Sequence, residues 1–298
     1  MLPSFLAPHL IMNGKGITMK EFKDKVAVIT GAASGIGQGL AERCAREGMK
    51  VVLGDIEETA LFQAQKELQA SGAKVLAVRT DVSKASDVEA LAQKTLDTFG
   101  AAHLLFNNAG IAAGSTIWES TLADWEWIIG VNLWGVIHGL RTFVPIMLAQ
   151  DTEGHIVNTA SVAGLTTGHS PYSVTKHAVV ALSEQLYHSL AHLNAKVKAS
   201  VLCPGFVKTR IMDSERNRPV ELQNETARPL TPEEEAIVQY VRQGVQAGMS
   251  PQQAADHVFQ AIREERFYIF THPEYNAAVQ MRMEDILQGR NPSNPFQS

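Results

Sequence analysis

The sequence predicts a doubly wound α/β fold, a single seven-stranded parallel sheet with helices on both faces. Three observations carry that prediction. From Val26 onward, short apolar runs alternate with longer segments of helical periodicity, the pattern of strands joined by crossover helices. The runs are rich in β-branched residues and do not alternate apolar with polar, which suits strands covered on both sides. A glycine-rich turn lies directly between the first run and the first helical segment.

Taken in order, the predicted strands are Val26–Thr30, Val51–Asp55, Val75–Thr80, Leu104–Asn107, His155–Thr159, Lys198–Cys203 and Phe267–Phe270. Between them, Gly35–Glu47, Ile56–Ala70, Lys84–Phe99, Leu122–Ala149 and Tyr172–Leu193 carry helical spacing. Residues 206–250 are rich in Arg, Glu, Gln and Pro, with helical signals only near their end, and read as a mobile loop with short helices over a site. Residues 1–18 hold prolines at positions 3 and 8 and no basic start, so they read as a disordered tail rather than a signal peptide. Residues 19–298 then form one domain, with 206–250 as the loop over its site.

Composition narrows the function. A net charge of −5 over 298 residues, without a concentrated Lys/Arg run, argues against nucleic acid as a partner. The apolar stretch from Trp125 to Met147 is interrupted by Asn132, His138, Arg141 and Pro145, which argues against a membrane span. The two cysteines, Cys44 and Cys203, stand in no metal-ligand spacing and read as buried thiols, so no metal is expected and a cytoplasmic location is. His155, His169 and His177 likewise show no paired ligand spacing and read as core or surface residues.

The segment VAVITGAASGIGQG places Gly31, Ser34, Gly35, Ile36 and Gly37 between strand and helix, where a tight turn brings backbone amides close to an anion. Its spacing differs from GxGxxG, and alone it fits a purely structural turn equally well. Asp55 tips the balance. It ends the second strand about 20 residues beyond the glycines, where a carboxylate accepts hydrogen bonds from an adenosine ribose and repels a 2′-phosphate. With Ser34 in the turn and Ile56 and Glu57 after Asp55, no basic side chain stands near in sequence to welcome NADP, and NAD is the expected cofactor.

Tyr172 and Lys176 are four residues apart at the start of a helix and share one face. Together with TGAASGIG at 30–37, NNAG at 107–110, Asn132, Ser161 and PGFVKT at 204–209, this ordered set resembles the short-chain dehydrogenase/reductase family, Rossmann-type enzymes. The resemblance runs from about Lys23 to Thr209. It implies that Asp81 and Val82 flank an adenine, that Asn108, Ala109 and Gly110 line the cofactor cleft, and that Asn107 ties neighbouring strands together. It also implies that Pro204 and Gly205 steer the chain past the nicotinamide, whose carboxamide Val207 and Thr209 hold. The stretch VAGLTTGHSP between Ser161 and Tyr172 is slightly shorter than is common in the family.

On that resemblance the chain is an NAD(H)-dependent enzyme that interconverts a secondary alcohol and a ketone. Tyr172 is the base, provided its pKa of about 10 is lowered by Lys176 and the positive nicotinamide. Ser161 holds the substrate oxygen, Lys176 also grips the nicotinamide ribose, and Asn132 positions a water that links Lys176 to solvent. Ile111, Trp118 and Phe206 are candidate walls of a hydrophobic or aryl pocket, while Trp125, Trp127 and Trp134 read as packing residues. Two other readings stand beside it: an NADPH-dependent ketoacyl-type reductase, which Asp55 disfavours, and a non-catalytic dinucleotide-sensing protein, which the complete Tyr/Lys/Ser set disfavours. A homodimer or homotetramer is implied, with Leu122–Ala149 and Tyr172–Leu193 at its interfaces.

Overall fold

The computed structural model describes residues 19–168, 170–225 and 230–294. The expected tail 1–18 and His169 lie outside the described residues. In chain order the elements begin with β1 (Val26–Thr30), α1 (Gly35–Arg46), β2 (Lys50–Asp55), α2 (Glu58–Ala70), β3 (Lys74–Arg79), α3 (Ala85–Phe99) and β4 (Leu104–Asn107). They continue with α4 (Leu122–Ile129), α5 (Gly135–Ala149), β5 (Gly154–Thr159), α6 (Pro171–His192) and β6 (Val197–Cys203). The last are α7 (Pro232–Ala247), α8 (Pro251–Arg263), β7 (Tyr268–Phe270) and α9 (Asn276–Gln288).

The strands pair in the order β3-β2-β1-β4-β5-β6-β7, every pair parallel. Successive residues of one strand feed opposite layers, which is why the runs read as continuously apolar. Ala27 and Ile29 of β1 pack with Leu40 and Cys44 of α1, Leu61 of α2 and Phe259 of α8. Val26 and Val28 pack with Leu91 of α3, Phe143 and Met147 of α5 and Val179 of α6. Burial of both faces, worth about 25 cal/mol per Å² of apolar surface, leaves the central strands β1, β4 and β5 no solvent-facing side.

Sequence and structure part company in three places. The predicted helix Leu122–Ala149 is interrupted by a π-helical stretch, Gly130–Trp134, between α4 and α5. This whole run is also long and apolar enough to cross a bilayer, contrary to the reading that its polar interruptions forbid it. Val136, Leu140, Phe143 and Met147 face the core, so the apolar character serves packing. Third, residues 206–250 carry more than a loop with short helices, because α7 runs 16 residues from a Thr231/Glu234 capping box with Pro232 at its first turn. The same device starts α8, where Ser250 and Gln253 cap reciprocally and Pro251 follows. Gly39 lets α8 dock on α1, since a Cβ there would stand 2.5 Å from the Pro251 carbonyl oxygen.

Candidate active site

Because the sheet order reverses between β1 and β4, a crevice opens at the carboxyl ends of these strands. The glycine turn forms one wall. Gly31 has φ +65° and Gly35 φ +55°, left-handed conformations that favour glycine. A Cβ on Gly37 would lie 2.0 Å from the Gly31 carbonyl oxygen, so only hydrogen fits where α1 meets the turn. Ser34 caps α1 without a side-chain hydrogen bond, and no acidic residue occupies the first turn, Gly35 and Ile36 included. The first-turn amides and the positive end of the helix dipole therefore suit an anionic group.

Asp55 closes the far side of that turn. Its Oδ2 accepts from the Ala33 amide at 2.9 Å and its Oδ1 from the Glu57 amide at 2.9 Å. Burial raises the Asp55 pKa, against the lowering effect of these amides. Asp55 is thus a fixed acceptor rather than a solvated strand end. Asp81 accepts from the amide and hydroxyl of Ser83, at 3.1 and 2.6 Å. Val82 is buried against Gly135, and its carbonyl meets His138 Nδ1 at 2.9 Å.

On the β4 side, Asn108 stitches the two strand ends together. Its Nδ2 donates to the Thr30 carbonyl at 3.0 Å, and the amides of Asn108 and Ala109 donate to Thr30 Oγ1 at 3.0 and 3.1 Å. Asn107 Nδ2 donates to Asn158 Oδ1 at 2.9 Å, joining β4 to β5. Gly110 passes where a Cβ would stand 3.4 Å from both Asn132 Oδ1 and Lys176 Nζ. Asn132 lies in the π-helical stretch, fully buried, with its amide committed to Ile111 through both backbone groups, at 2.8 and 3.0 Å, and to Thr175 Oγ1 at 3.2 Å. Its side chain fixes the loop after β4.

Tyr172 and Lys176 project from the first turns of α6, and Ser161 from the end of β5. Lys176 is buried, its Nζ donating to the Thr159 carbonyl at 2.9 Å and lying 5.5 Å from the Tyr172 ring centroid. Burial brings its pKa down to about 8, which still leaves roughly nine in ten ammonium groups charged at pH 7. Tyr172 moves against the sequence expectation. Burial pushes its phenol up to about 12, and the Ser161 hydroxyl offsets this only in part. The side chains of this chain alone therefore do not lower the Tyr172 pKa. Ser161 Oγ also accepts from the Ala163 amide at 3.2 Å and reaches the Pro204 carbonyl at 3.4 Å.

The segment after β6 bridges the crevice. Gly205 packs on His272, where a Cβ would come within 2.7 Å. Val207 is buried and pairs with Met249, and the Thr209 methyl carbon stands 2.8 Å from where a Cβ on Gly35 would be. Ile111 joins Trp127 and Ile128 in an apolar cluster that also touches Tyr172 and Leu222. Phe206 stacks edge-on with Tyr240 at 6.1 Å. Trp118 joins neither group and is 79 % exposed. His155 meets Ser200 Oγ at 2.8 Å and His177 the Ser173 carbonyl at 2.9 Å.

Two anchors of the strap Arg210–Asn224 have no sequence signal, because their partners are 94 to 160 residues away. On the cofactor side, Glu57 Oε1 accepts from Arg216 Nε at 2.9 Å and Nη2 at 2.5 Å and from Asn217 Nδ2 at 3.0 Å, with Arg210 Nη1 3.4 Å from Oε2. These basic groups meet Glu57, two residues from Asp55, where sequence proximity suggested none. On the substrate side, Arg218 Nη2 donates to Asp124 Oδ1 at 2.6 Å with both side chains buried, and its guanidinium lies 5.0 Å from the Trp127 ring.

The family model for short-chain dehydrogenases matches residues 25–219. A short-chain dehydrogenase/reductase from Burkholderia phymatum, solved in complex with NAD, superposes with a TM-score of 0.90 at 50 % identity, covering 94 % of this chain and all of that one. A CLA biosynthesis dehydrogenase/reductase of Lactiplantibacillus plantarum is 39 % identical over 278 residues, 92 % of this chain and 97 % of its own. The C alpha-dehydrogenase of a Sphingobium strain is 32 % identical over 277 residues, 92 % of this chain and 89 % of its own. With the crevice, the glycine turn and the Ser161–Tyr172–Lys176 group in place, this extent of similarity makes the chain a member of the short-chain dehydrogenase/reductase family of oxidoreductases.

Proposed function

We propose that this oxidoreductase interconverts a secondary alcohol and a ketone with NAD(H). The observation that carries the reading is the meeting of Ser161, Tyr172 and Lys176 in the crevice that also holds the glycine turn and Asp55. Gly31, Ser34, Gly35, Ile36 and Gly37 suit the pyrophosphate and Asp55 the ribose hydroxyls. Asp81, Val82, Asn108, Ala109, Gly110, Pro204, Gly205, Val207 and Thr209 line the rest of the cofactor's path. The similarity to a relative solved with NAD supports the same choice.

When bound, the nicotinamide accepts or donates the hydride and, oxidised, brings a positive charge. Ser161 donates a hydrogen bond to the substrate oxygen and stabilises charge developing there. Tyr172 takes the hydroxyl proton in oxidation and returns it in reduction. Lys176, charged at neutral pH, favours the phenolate and hydrogen-bonds the ribose. Asn132 holds the water through which protons reach Lys176. Ile111 and Leu222, at the edge of the buried cluster beside Tyr172, suit an apolar substrate.

We read residues 19–298 as one catalytic domain with 206–250 as the substrate loop, working in the cytoplasm as a homodimer or homotetramer. Partly exposed Trp134, Val174 and Tyr187 on the long helices suit an interface there. The test is Tyr172→Phe, followed by reduced-nicotinamide absorbance over a panel of secondary alcohols. Turnover should fall about 10³-fold while NAD⁺ binding stays within threefold; undiminished turnover would remove Tyr172 from its role.

A further inference from the structure

We propose that Glu57 is a second determinant of cofactor choice, excluding NADP(H) by holding the strap's Arg210 and Arg216 on its own carboxylate and away from a ribose 2′-phosphate. The inference rests on the reading that the adenosine ribose sits at Asp55. Glu57 belongs to the same corner, because its amide donates to Asp55 Oδ1 at 2.9 Å. The two carboxylates also act on each other, Glu57 raising the Asp55 pKa. Glu57, Arg210 and Arg216 thus form an ion-pair cluster beside Asp55 that is made without a ligand.

A 2′-phosphate brings about two further negative charges and requires guanidinium or ammonium donors. Arg210 and Arg216 are the cations paired with Glu57, whose carboxylate occupies both. Arg216 is held most firmly, by two contacts to Glu57 Oε1 and by the carbonyls of Arg210 and Asp213 at 3.0 and 2.7 Å. Arg210 is half-exposed and touches Glu57 only at 3.4 Å, so it is the first to swing to another anion. Cofactor choice is therefore set partly from the substrate strap, 153 and 159 residues away in sequence. Glu57 makes no side-chain cap on α2, so replacing it removes no helix cap.

The test is calorimetric binding of NAD⁺ and NADP⁺ to wild type, Glu57→Gln, the Arg210→Ala/Arg216→Ala pair and the triple variant. In Glu57→Gln the ratio of dissociation constants, NADP⁺ over NAD⁺, should fall at least about tenfold. The triple variant should restore it to within about threefold of wild type, and the arginine pair alone, which frees the Glu57 carboxylate, should not lower it. A Glu57→Gln ratio within twofold of wild type would overturn the proposal, as would a lowered ratio that persists in the triple variant, since recruited arginines would then not be the cause. Glu57→Ala, read the same way, serves if the Gln variant does not fold. A wild type that itself prefers NADP⁺ would instead contradict the NAD reading, an outcome visible before any variant is made.

Discussion

The two sides of the crevice are built from different materials. The cofactor wall is mostly backbone: glycines with positive φ, a bare helix start, and Thr30 and Asn108 holding strand ends at fixed distances. The strap Arg210–Asn224 is held mostly by side chains, through Glu57 at one end and Asp124 at the other. A wall made of backbone contacts has no soft coordinate, whereas a strap held by a few ion pairs can open when one is lost. The first suits a ligand common to a whole family and the second a substrate that differs between members.

That contrast breaks most readily at Gly37. A methyl group there would stand 2.0 Å from the Gly31 oxygen and 2.7 Å from Asn108 Nδ2, and backbone cannot yield as a side-chain tip can. Gly37→Ala should weaken NAD⁺ binding at least about 100-fold, or about 3 kcal/mol, in a calorimetric titration, and should lower the melting temperature. Unchanged NAD⁺ affinity would show that the turn is not the rigid wall described.

Arg218 sharpens the other half. Arg218→Met leaves the Asp124 carboxylate without its cation in a buried position, a loss that costs about 3–5 kcal/mol where a site cannot adjust. Because the strap can lift and hydrate Asp124, most of the effect should appear as a KM for the alcohol raised about tenfold or more, with NAD⁺ affinity and melting temperature little changed. Adding Asp124→Asn should recover part of the KM. A large fall in melting temperature with unchanged KM would mean that strap and wall are one cooperative unit.

This division also decides what could be read without a structure. The bounds of β1 and β4 coincide with the predicted ones, since a β-branched run flanked by turn residues is a local signal. The glycine turn and the Tyr172/Lys176 pair were legible for the same reason, each contained in a few residues. The π-helical stretch was not, because Gly130–Trp134 keeps helical periodicity and differs only in hydrogen bonding. The starts of α7 and α8 do carry a local signal, Thr231-Pro232 and Ser250-Pro251 with Glu234 and Gln253 three residues after each cap. The strap anchors left no trace, since a charge pair 94 or 159 residues apart has no period or motif. The direction of the Tyr172 shift was missed because it depends on how deeply the phenol is set, which spacing does not encode.

That shift leads to a test of the proton chemistry itself. If burial alone holds Tyr172 at about 12, the phenol becomes a usable base only when the oxidised nicotinamide adds its positive charge beside Lys176. The sign follows directly: a raised pKa keeps the proton on at neutral pH, so oxidation gains rate as pH rises toward the lowered value in the NAD⁺ complex, whereas reduction, which uses the protonated phenol, loses rate only as pH nears 12. Ultraviolet titration of the phenol, taken as the difference between wild type and Tyr172→Phe, reads this without turnover. Alone and with NADH the group should ionise near 12, and with NAD⁺ at least about two units lower, roughly 2.7 kcal/mol of differential interaction. A Tyr172 that still titrates near 12 with NAD⁺ bound would contradict the mechanism.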